Sequence, residues 1–362
     1  MVSTILNESY PVIETTDFIQ LQKWLRVKRV FLLPICLMAV FLQVNAKVIF
    51  VKAVANGNGT SWSNAFGDLQ LALKAAKAGD EIWVASGVYT PTKSNDRMIS
   101  FTIPSGIKMF GGFAGNETAL QQRNIQANPT TLSGAIGTIS EEDNSYTVIY
   151  TRHASSETEV DGFIITNGHA NGIGNIGDIR VCGGAWFNDG SNGESSPTIR
   201  NCTFLDNVAR NGGAIYNFAM NGVCNPNIEN CLFSGNIADL DGGAIFNDGN
   251  VGTCNPVIAN CNFTGNAATY GACILNVGKN GECRPVINES AFTNNSSLVR
   301  GSVVYNHREQ GSNCDAIMTS CRSDDNDSMV GKDVSNTLTG GNQEAKKPGK
   351  TSGIRVVAMG KN

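Results

Sequence analysis

A unit of 29 to 30 residues recurs along the second half of this chain, and that period decides what the chain can fold into. The unit reads "NCTFLDNVARNGGAIYN" at 201–217, "NCLFSGNIADLDGGAIFN" at 230–247 and "NCNFTGNAATYGACILN" at 260–276. The first glycine of its Gly-Gly-Ala element falls at 183, 212 and 242, then continues as Gly271 and Gly301, so the steps are 29, 30, 29 and 30 residues. The asparagine closing the element keeps step at 188, 217, 247, 276 and 306, and Asn336 extends it. Phe-x-x-Asn recurs as Phe204/Asn207, Phe233/Asn236, Phe263/Asn266 and Phe292/Asn295.

Within a unit the strand-like runs are only three to six residues long, broken by Gly, Asn or Pro, and no ten-residue helical period occurs. Helical solenoids are thereby excluded. A unit this short cannot bury its own apolar face, but stacked copies can. Equivalent Phe, Ile and Cys then pile into one core, and neighbouring coils pair as parallel strands about 4.8 Å apart. Equivalent asparagines become amide ladders that satisfy buried backbone at the bends. The Gly-Gly pair supplies a positive φ and leaves no Cβ to obstruct the next coil. The fold class expected is all-β: a right-handed parallel β-helix, a single-stranded solenoid with an N-terminal cap containing one short α-helix.

Upstream, "FGDLQLALKAAKAG" places Phe66, Leu69, Leu73 and Ala76 on one helical face, with Gly79 to end the helix. Four divisions follow: residues 1–46 as an N-terminal extension and signal peptide, 47–159 as cap and irregular first coils, 160–321 as regular repeats, and 322–362 as a decayed coil with a polar, disordered tail. The first rests on Lys23, Arg26, Lys28 and Arg29 ahead of the apolar "VFLLPICLMAVFLQV", which ends at the small-residue exit "Val44-Asn45-Ala46". Export is therefore expected, to the outside or the cell surface, with translation starting near Val27 and no transmembrane span in the mature chain. The run lacks the small residues that would make Cys36 a lipoprotein cysteine. No equally convincing C-terminal cap is read, and the expectation is a truncated reading frame or a degraded coding sequence. A net charge of −4 without a basic stripe argues against nucleic acid.

The cysteines follow the period as well. Cys224, Cys254, Cys283 and Cys314 form one column; Cys202, Cys231, Cys261 and Cys321 form another, with Ser290 in the gap. The Cys-x6-Cys spacing leaves two readings open. One is disulfides across a corner, Cys224–Cys231, Cys254–Cys261 and Cys314–Cys321; the other is reduced thiols stacked as small core hydrophobes. The absence of Cys-x2-Cys pairs with nearby His argues against zinc.

The order of Phe-x-x-Asn and Gly-Gly-Ala-Ile over about residues 160–310 resembles the repeats of the polymorphic outer membrane proteins, surface adhesins of the autotransporter type. The segments "GNGTSWSNAFGDLQLALKAAKAGDEIWVASGVYTPT" and "GGFAGNETALQQRNIQANPTTLSG" are similar to the opening of exported β-helix proteins of the pectin-lyase-like superfamily. The resemblance implies a right-handed coil and an exported or surface protein, although the chain has no room for an autotransporter barrel. The same superfamily holds polysaccharide lyases and hydrolases, which use clustered carboxylates, Ca²⁺ and an Arg or Lys base. Here "Gly168-His169-Ala170" stands without an Arg-Ile-Lys or Asn-Thr-Asp motif, and the repeated Asn, Gly, Cys and Phe supply no acid or base. No catalytic or metal residue is assigned. The weak ligand-binding candidates are Asp239, Asp241 and Asp248 at the bends, which are otherwise solvated turns, and Trp186, Tyr216 and Phe246, an aromatic stripe that stacks on sugars if exposed and is core if not. Asp206 belongs with the bend carboxylates. The expected role is structural or adhesive, with a carbohydrate or cell-surface partner and no cofactor. The alternative is a lyase or glycoside hydrolase on acidic polysaccharide, with Ca²⁺.

Overall fold

The computed structural model describes residues 46–137, 140–309, 312–329 and 334–339. The proposed signal segment, Val27 and the tail beyond residue 339 lie outside them. The described chain winds into a parallel β-helix whose coils contribute to four long sheets of nine, eight, six and eight strands. All four sheets are parallel. In the coil beginning at residue 227, Asn227–Glu229 lies in the first sheet, Leu232–Ser234 in the second, Ile237–Asp241 in the third and Ile245–Asp248 in the fourth.

The period dictates what meets what. The inward column of the first sheet runs Ile49, Ile82, Met109, Val160, Ile199, Ile228, Ile258, Ile287, Met318. In the second sheet Phe204, Phe233, Phe263 and Phe292 stack with centroids 4.7–4.8 Å apart and planes within 11°. That spacing is the strand separation itself, so each ring rests flat on the next with no side-chain adjustment. The column ends where Ser323 pairs with Phe292, which is the structural content of the decayed final coil.

Both expected asparagine ladders form. Asn188, Asn217, Asn247, Asn276 and Asn306 face inward from the fourth sheet, each Nδ2 donating to the next Oδ1 at 2.7–3.0 Å. Thr151 begins the column, its hydroxyl donating to Asn188 Oδ1. Asn207, Asn236, Asn266, Asn295 and Asn326 form the other at 2.8–3.0 Å, and each amide nitrogen of the last four also donates to a phenylalanine carbonyl one coil back. Gly183, Gly212, Gly242, Gly271 and Gly301 all adopt φ between 63° and 71°, the left-handed bend read from Gly-Gly-Ala. The outer corner between the first two sheets uses the same conformation at Asn201, Asn230, Asn260 and Glu289.

The cap helix spans Leu69–Ala75, buries Leu69, Ala72 and Leu73, and starts at Asp68, whose carboxylate accepts from Gln70 N. It ends before Gly79, because Ala76 is already extended and the Asp80 carboxylate accepts the Lys77 N–H at 2.9 Å. Gly79 serves the turn that follows, with φ 92°. Outside the first sheet, Trp83, Phe110 and Phe113 form a separate apolar cluster with Phe50, Trp62 and Leu120 packed against it.

Candidate functional site

The aromatic stripe is corrected by the register. Trp186 pairs with Ile215, not with Tyr216, and stands in the inward column Ile149, Trp186, Ile215, Ile245, Ile274, Val304. Its indole nitrogen donates to Thr151 Oγ1 at 2.8 Å, so its polar edge is used inside. The column that does contain Tyr216 and Phe246 runs Tyr150, Phe187, Tyr216, Phe246, Leu275, Tyr305 on the outward side of the fourth sheet. It too is buried, because Ile179, Val181, Cys182 and Phe218 pack over it and Tyr270 of the third sheet stacks on Tyr305. Trp186, Tyr216 and Phe246 are all at most 1% exposed, so none offers a face to a sugar.

The three bend carboxylates are not brought together. Asp239 is exposed on the third sheet. Asp241 is half-buried on the same strand, and burial alone pushes its carboxyl up to about 6. Asp248 lies across the Gly-Gly bend, buried on the fourth sheet. Burial raises it to about 6 against two opposing hydrogen bonds, from Tyr216 Oη at 2.5 Å and Asn250 N at 3.1 Å. The same arrangement occurs at Tyr150 and Asp189, where the hydroxyl donates at 2.9 Å and the tyrosine is pushed up to about 12 by burial and by that carboxylate. Asp206 sits exposed in a left-handed bend with φ 51°, a turn residue. Among the described residues no three His, Cys, Asp or Glu side chains group as metal ligands would.

A pH dependence follows from Asp248. Its folded value lies above the ordinary carboxylate value, so the folded state holds the proton more tightly than the unfolded state. The stability it contributes is complete below the unfolded value and is lost as pH rises through about 6, a loss of about 3 kcal/mol. Asp248→Asn removes that slope. Its thermal midpoint is expected to exceed the wild type at about pH 8 and to match it at about pH 4. Equal midpoints at both would show that Asp248 carries no proton linkage.

The cysteine pairing is corrected as well. No disulfide joins any two of the ten described cysteines. Cys224, Cys254, Cys283 and Cys314 cluster with Ala219, whereas Cys202, Cys231 and Cys261 belong to the main core and Cys321 packs at its margin. The strand Asn227–Glu229 runs between Cys224 and Cys231, and equivalent strands Val257–Ala259 and Ile317–Thr319 separate the other two pairs. An extended strand of three residues spans about 10 Å, beyond the reach of a disulfide. Within the runs Cys224, Cys254, Cys283, Cys314 and Cys202, Cys231, Cys261, each cysteine instead lies over its counterpart in the adjacent coil.

One charged constellation was not read from the sequence. On the outward face of the first sheet Lys108, Glu159, Arg200 and Glu229 alternate in sign across successive coils, with ion pairs of 3.9, 3.2 and 2.9 Å. Beside them Asp161, only 5% exposed, receives Arg123 Nη2 at 2.7 Å and Asn201 Nδ2 at 2.8 Å. Arg123 also donates to the Gly111 and Asp161 carbonyls and so pins its own loop to the coil. The steps from 108 to 159 to 200 are 51 and 41 residues, outside the regular period, which is why repeat counting passes over them. The register would have found them: each stands one residue from the inward Met109, Val160, Ile199 or Ile228.

With this geometry in place, the sequence matches the Chlamydia polymorphic membrane protein repeat at residues 201–217 and 230–248. Each matched segment runs from the asparagine corner through the Phe and Gly-Gly columns to the inward asparagine of one coil. No curated protein matches the chain by sequence. Similar solved structures include a rhamnogalacturonan lyase (12% identity, TM-score 0.42, covering 74% of this chain and 75% of that one). A pectate lyase gives 12% identity, TM-score 0.41 and coverage of 84% and 80%. An iota-carrageenase solved with iota-carrageenan fragments gives 14%, 0.31, 72% and 57%. The chain is thus a parallel β-helix with two segments that match the polymorphic membrane protein repeat.

Proposed function

We propose that this protein is an exported, surface-held or secreted β-helix that acts as a rigid rod, presenting its outer faces and loops to a glycan or other cell-surface ligand without cleaving it. The observation that carries this reading is the commitment of five carboxylates on its sheets. Glu159, Asp161, Glu229, Asp189 and Asp248 each bind a side chain or backbone group of their own or an adjacent coil. Groups so engaged hold coils together and are poorly placed to deliver a proton to, or take one from, a sugar. The membrane-protein repeats support a location at the outer membrane or cell surface. Among the described residues no helix is long and apolar enough to cross a membrane.

A second reading, a polysaccharide lyase or hydrolase, draws on the first sheet. There Lys108 and Arg200 keep 40% and 39% of their side chains exposed beside Glu159, which sets two cations against a carboxylate on one outward face. An acidic polysaccharide would be its substrate, with Ca²⁺ bridging substrate and carboxylates. The test is a depolymerisation screen of the full chain on acidic and neutral polysaccharides, with and without Ca²⁺, read as reducing ends and unsaturated products, alongside retention on the same immobilised glycans. The expected result is retention without products. Products that vanish in Glu159→Gln or Asp161→Asn would establish the enzyme instead.

A further inference from the structure

The column Cys224, Cys254, Cys283, Cys314 has a property that stacking of small hydrophobes does not require. Cys283 and Cys314 are direct in-register partners of parallel strands. Bridges Val223↔Thr253 and Thr253↔Glu282 set Cys224, Cys254 and Cys283 in the same register one residue later. Register partners in adjacent parallel strands have Cα atoms about 5 Å apart, inside the range a disulfide spans. The Cβ atoms lie on the same side, because in-register side chains of a parallel pair point the same way. All four are fully buried, and their cluster contains no residue besides them and Ala219.

We infer that this column oxidises between coils, forming Cys224–Cys254 and Cys283–Cys314 as two staples along the solenoid axis. Parity selects that pairing: four consecutive thiols pair completely as first with second and third with fourth, whereas Cys254–Cys283 strands two. The other column differs. Cys202, Cys231 and Cys261 are an odd run ended by Ser290, and each thiol lies close to a backbone carbonyl of the coil before it. Cys182 and Cys273 stand across the ladder from Asn211 and Val303.

In the first column the thiols also reach back to the carbonyls of Asn188, Asn217, Asn247 and Asn276, at 3.3–3.9 Å. Sulfur is a weak donor, so a covalent bond gives up little there. The neighbouring turn leaves room for the column: a Cβ at Gly190, Gly249 or Gly278 would lie 3.2 Å from the Cβ of Cys224, Cys283 or Cys314. All four thiols are fully buried, so an oxidant does not reach the folded column. The bonds therefore form while the coils are closing, as in a chain folding in an oxidising compartment.

The chemistry is thiol–disulfide exchange with a small-molecule disulfide such as oxidised glutathione. One cysteine thiolate attacks it, giving a mixed disulfide and one small thiol. The thiolate of the adjacent coil then displaces the second small thiol and closes the S–S bond. Two electrons and two protons leave the protein and end on the two small thiols, so nothing further is needed.

The test is to refold the full chain in a glutathione redox buffer, confirm native β-structure by circular dichroism and retention of a compact monodisperse form, then block thiols under denaturing conditions and map disulfides by mass spectrometry. The expected map contains Cys224–Cys254 and Cys283–Cys314, with both bonds lost after reduction. In Cys254→Ser, the Cys283–Cys314 bond is expected to persist while Cys224 becomes alkylatable. A folded sample with all four thiols free overturns the inference, and so does a Cys254–Cys283 bond or the corner pair Cys224–Cys231. Should Cys254→Ser not refold, Cys224→Ala, which removes the end of the column, gives the same reading: Cys283–Cys314 retained and Cys254 free.

Discussion

Asn236→Leu is expected to lower stability by about 4 kcal/mol, although leucine is apolar, similar in size and placed in a core. Asn236 is fully buried. Its Nδ2 donates to Phe204 O at 2.9 Å and to Asn266 Oδ1 at 3.0 Å. Its Oδ1 accepts from the Asn207 backbone N at 3.2 Å and from Asn207 Nδ2 at 3.0 Å. Leucine therefore orphans the Asn207 backbone N–H where water does not reach, at a cost of about 1–3 kcal/mol, removes the bond to Phe204 O and cuts the ladder into two pieces. Some hydrophobic gain offsets this, which is why the figure is about 4 kcal/mol and not the sum of every lost bond. The comparison variant is Asn230→Ala, at the exposed left-handed corner with φ 55°, where the loss is expected to be about 1 kcal/mol. Urea unfolding followed by circular dichroism measures both. A loss under about 1.5 kcal/mol for Asn236→Leu would mean that the ladder aligns the coils without stabilising them.

The ladders were legible because the residues that build them recur. In a solenoid a residue's neighbours are its own counterparts one period away, so Phe233, Asn236 and Gly242 announce their contacts by position alone. Two failures of reading have equally definite causes. Counted from the first glycine of the bend, Trp186 is the third residue, as are Ile215 and Ile245, while Tyr216 and Phe246 are the fourth. Successive strand residues point to opposite faces, so that single step moves Trp186 from an outward stripe into the core. Whether the outward stripe meets water is then decided by residues outside the period, Ile179, Val181 and Cys182, for which the repeat gives no address. The corner disulfides failed differently: Cys-x6-Cys counts residues but not the extended strand between them. The charged ladder on the first sheet was hidden because its early coils carry insertions, among them the loop that delivers Arg123 to Asp161. Regular coils show in the sequence; what irregular segments cover or deliver does not.

Gly213→Val should be among the most damaging single changes in the regular coils, with an expected loss above about 4 kcal/mol or failure to fold. The reason is distance between backbones, not flexibility. A Cβ at Gly213 would lie 2.2 Å from Gly243 O, 2.6 Å from Ile237 O and 2.8 Å from Ile237 C. None of these can swing away as a side-chain tip would. Gly243 and Ile237 belong to the next coil, whose own backbone is fixed by pairing onward, as in the bond from Gly243 N to Gly271 O. Admitting a methyl group means separating two coils beyond the strand spacing, which breaks the amide ladders and unstacks Phe204 from Phe233 together. The chain supplies its own contrast. At the equivalent place two and three coils on it carries Ala272 and Ser302, so a side chain is not forbidden by the bend as such. A Cβ already stands at that place in Ala272, and Ala272→Gly is accordingly expected to change stability by no more than about 1 kcal/mol. Thermal unfolding of the two variants side by side separates the explanations. If Gly213→Val and Gly213→Ala both unfold near the wild-type midpoint, the coils at this bend have slack that the backbone geometry denies. If Gly213→Ala already loses most of the stability, the close approach of Gly213 to Gly243 is what sets the pitch of the solenoid.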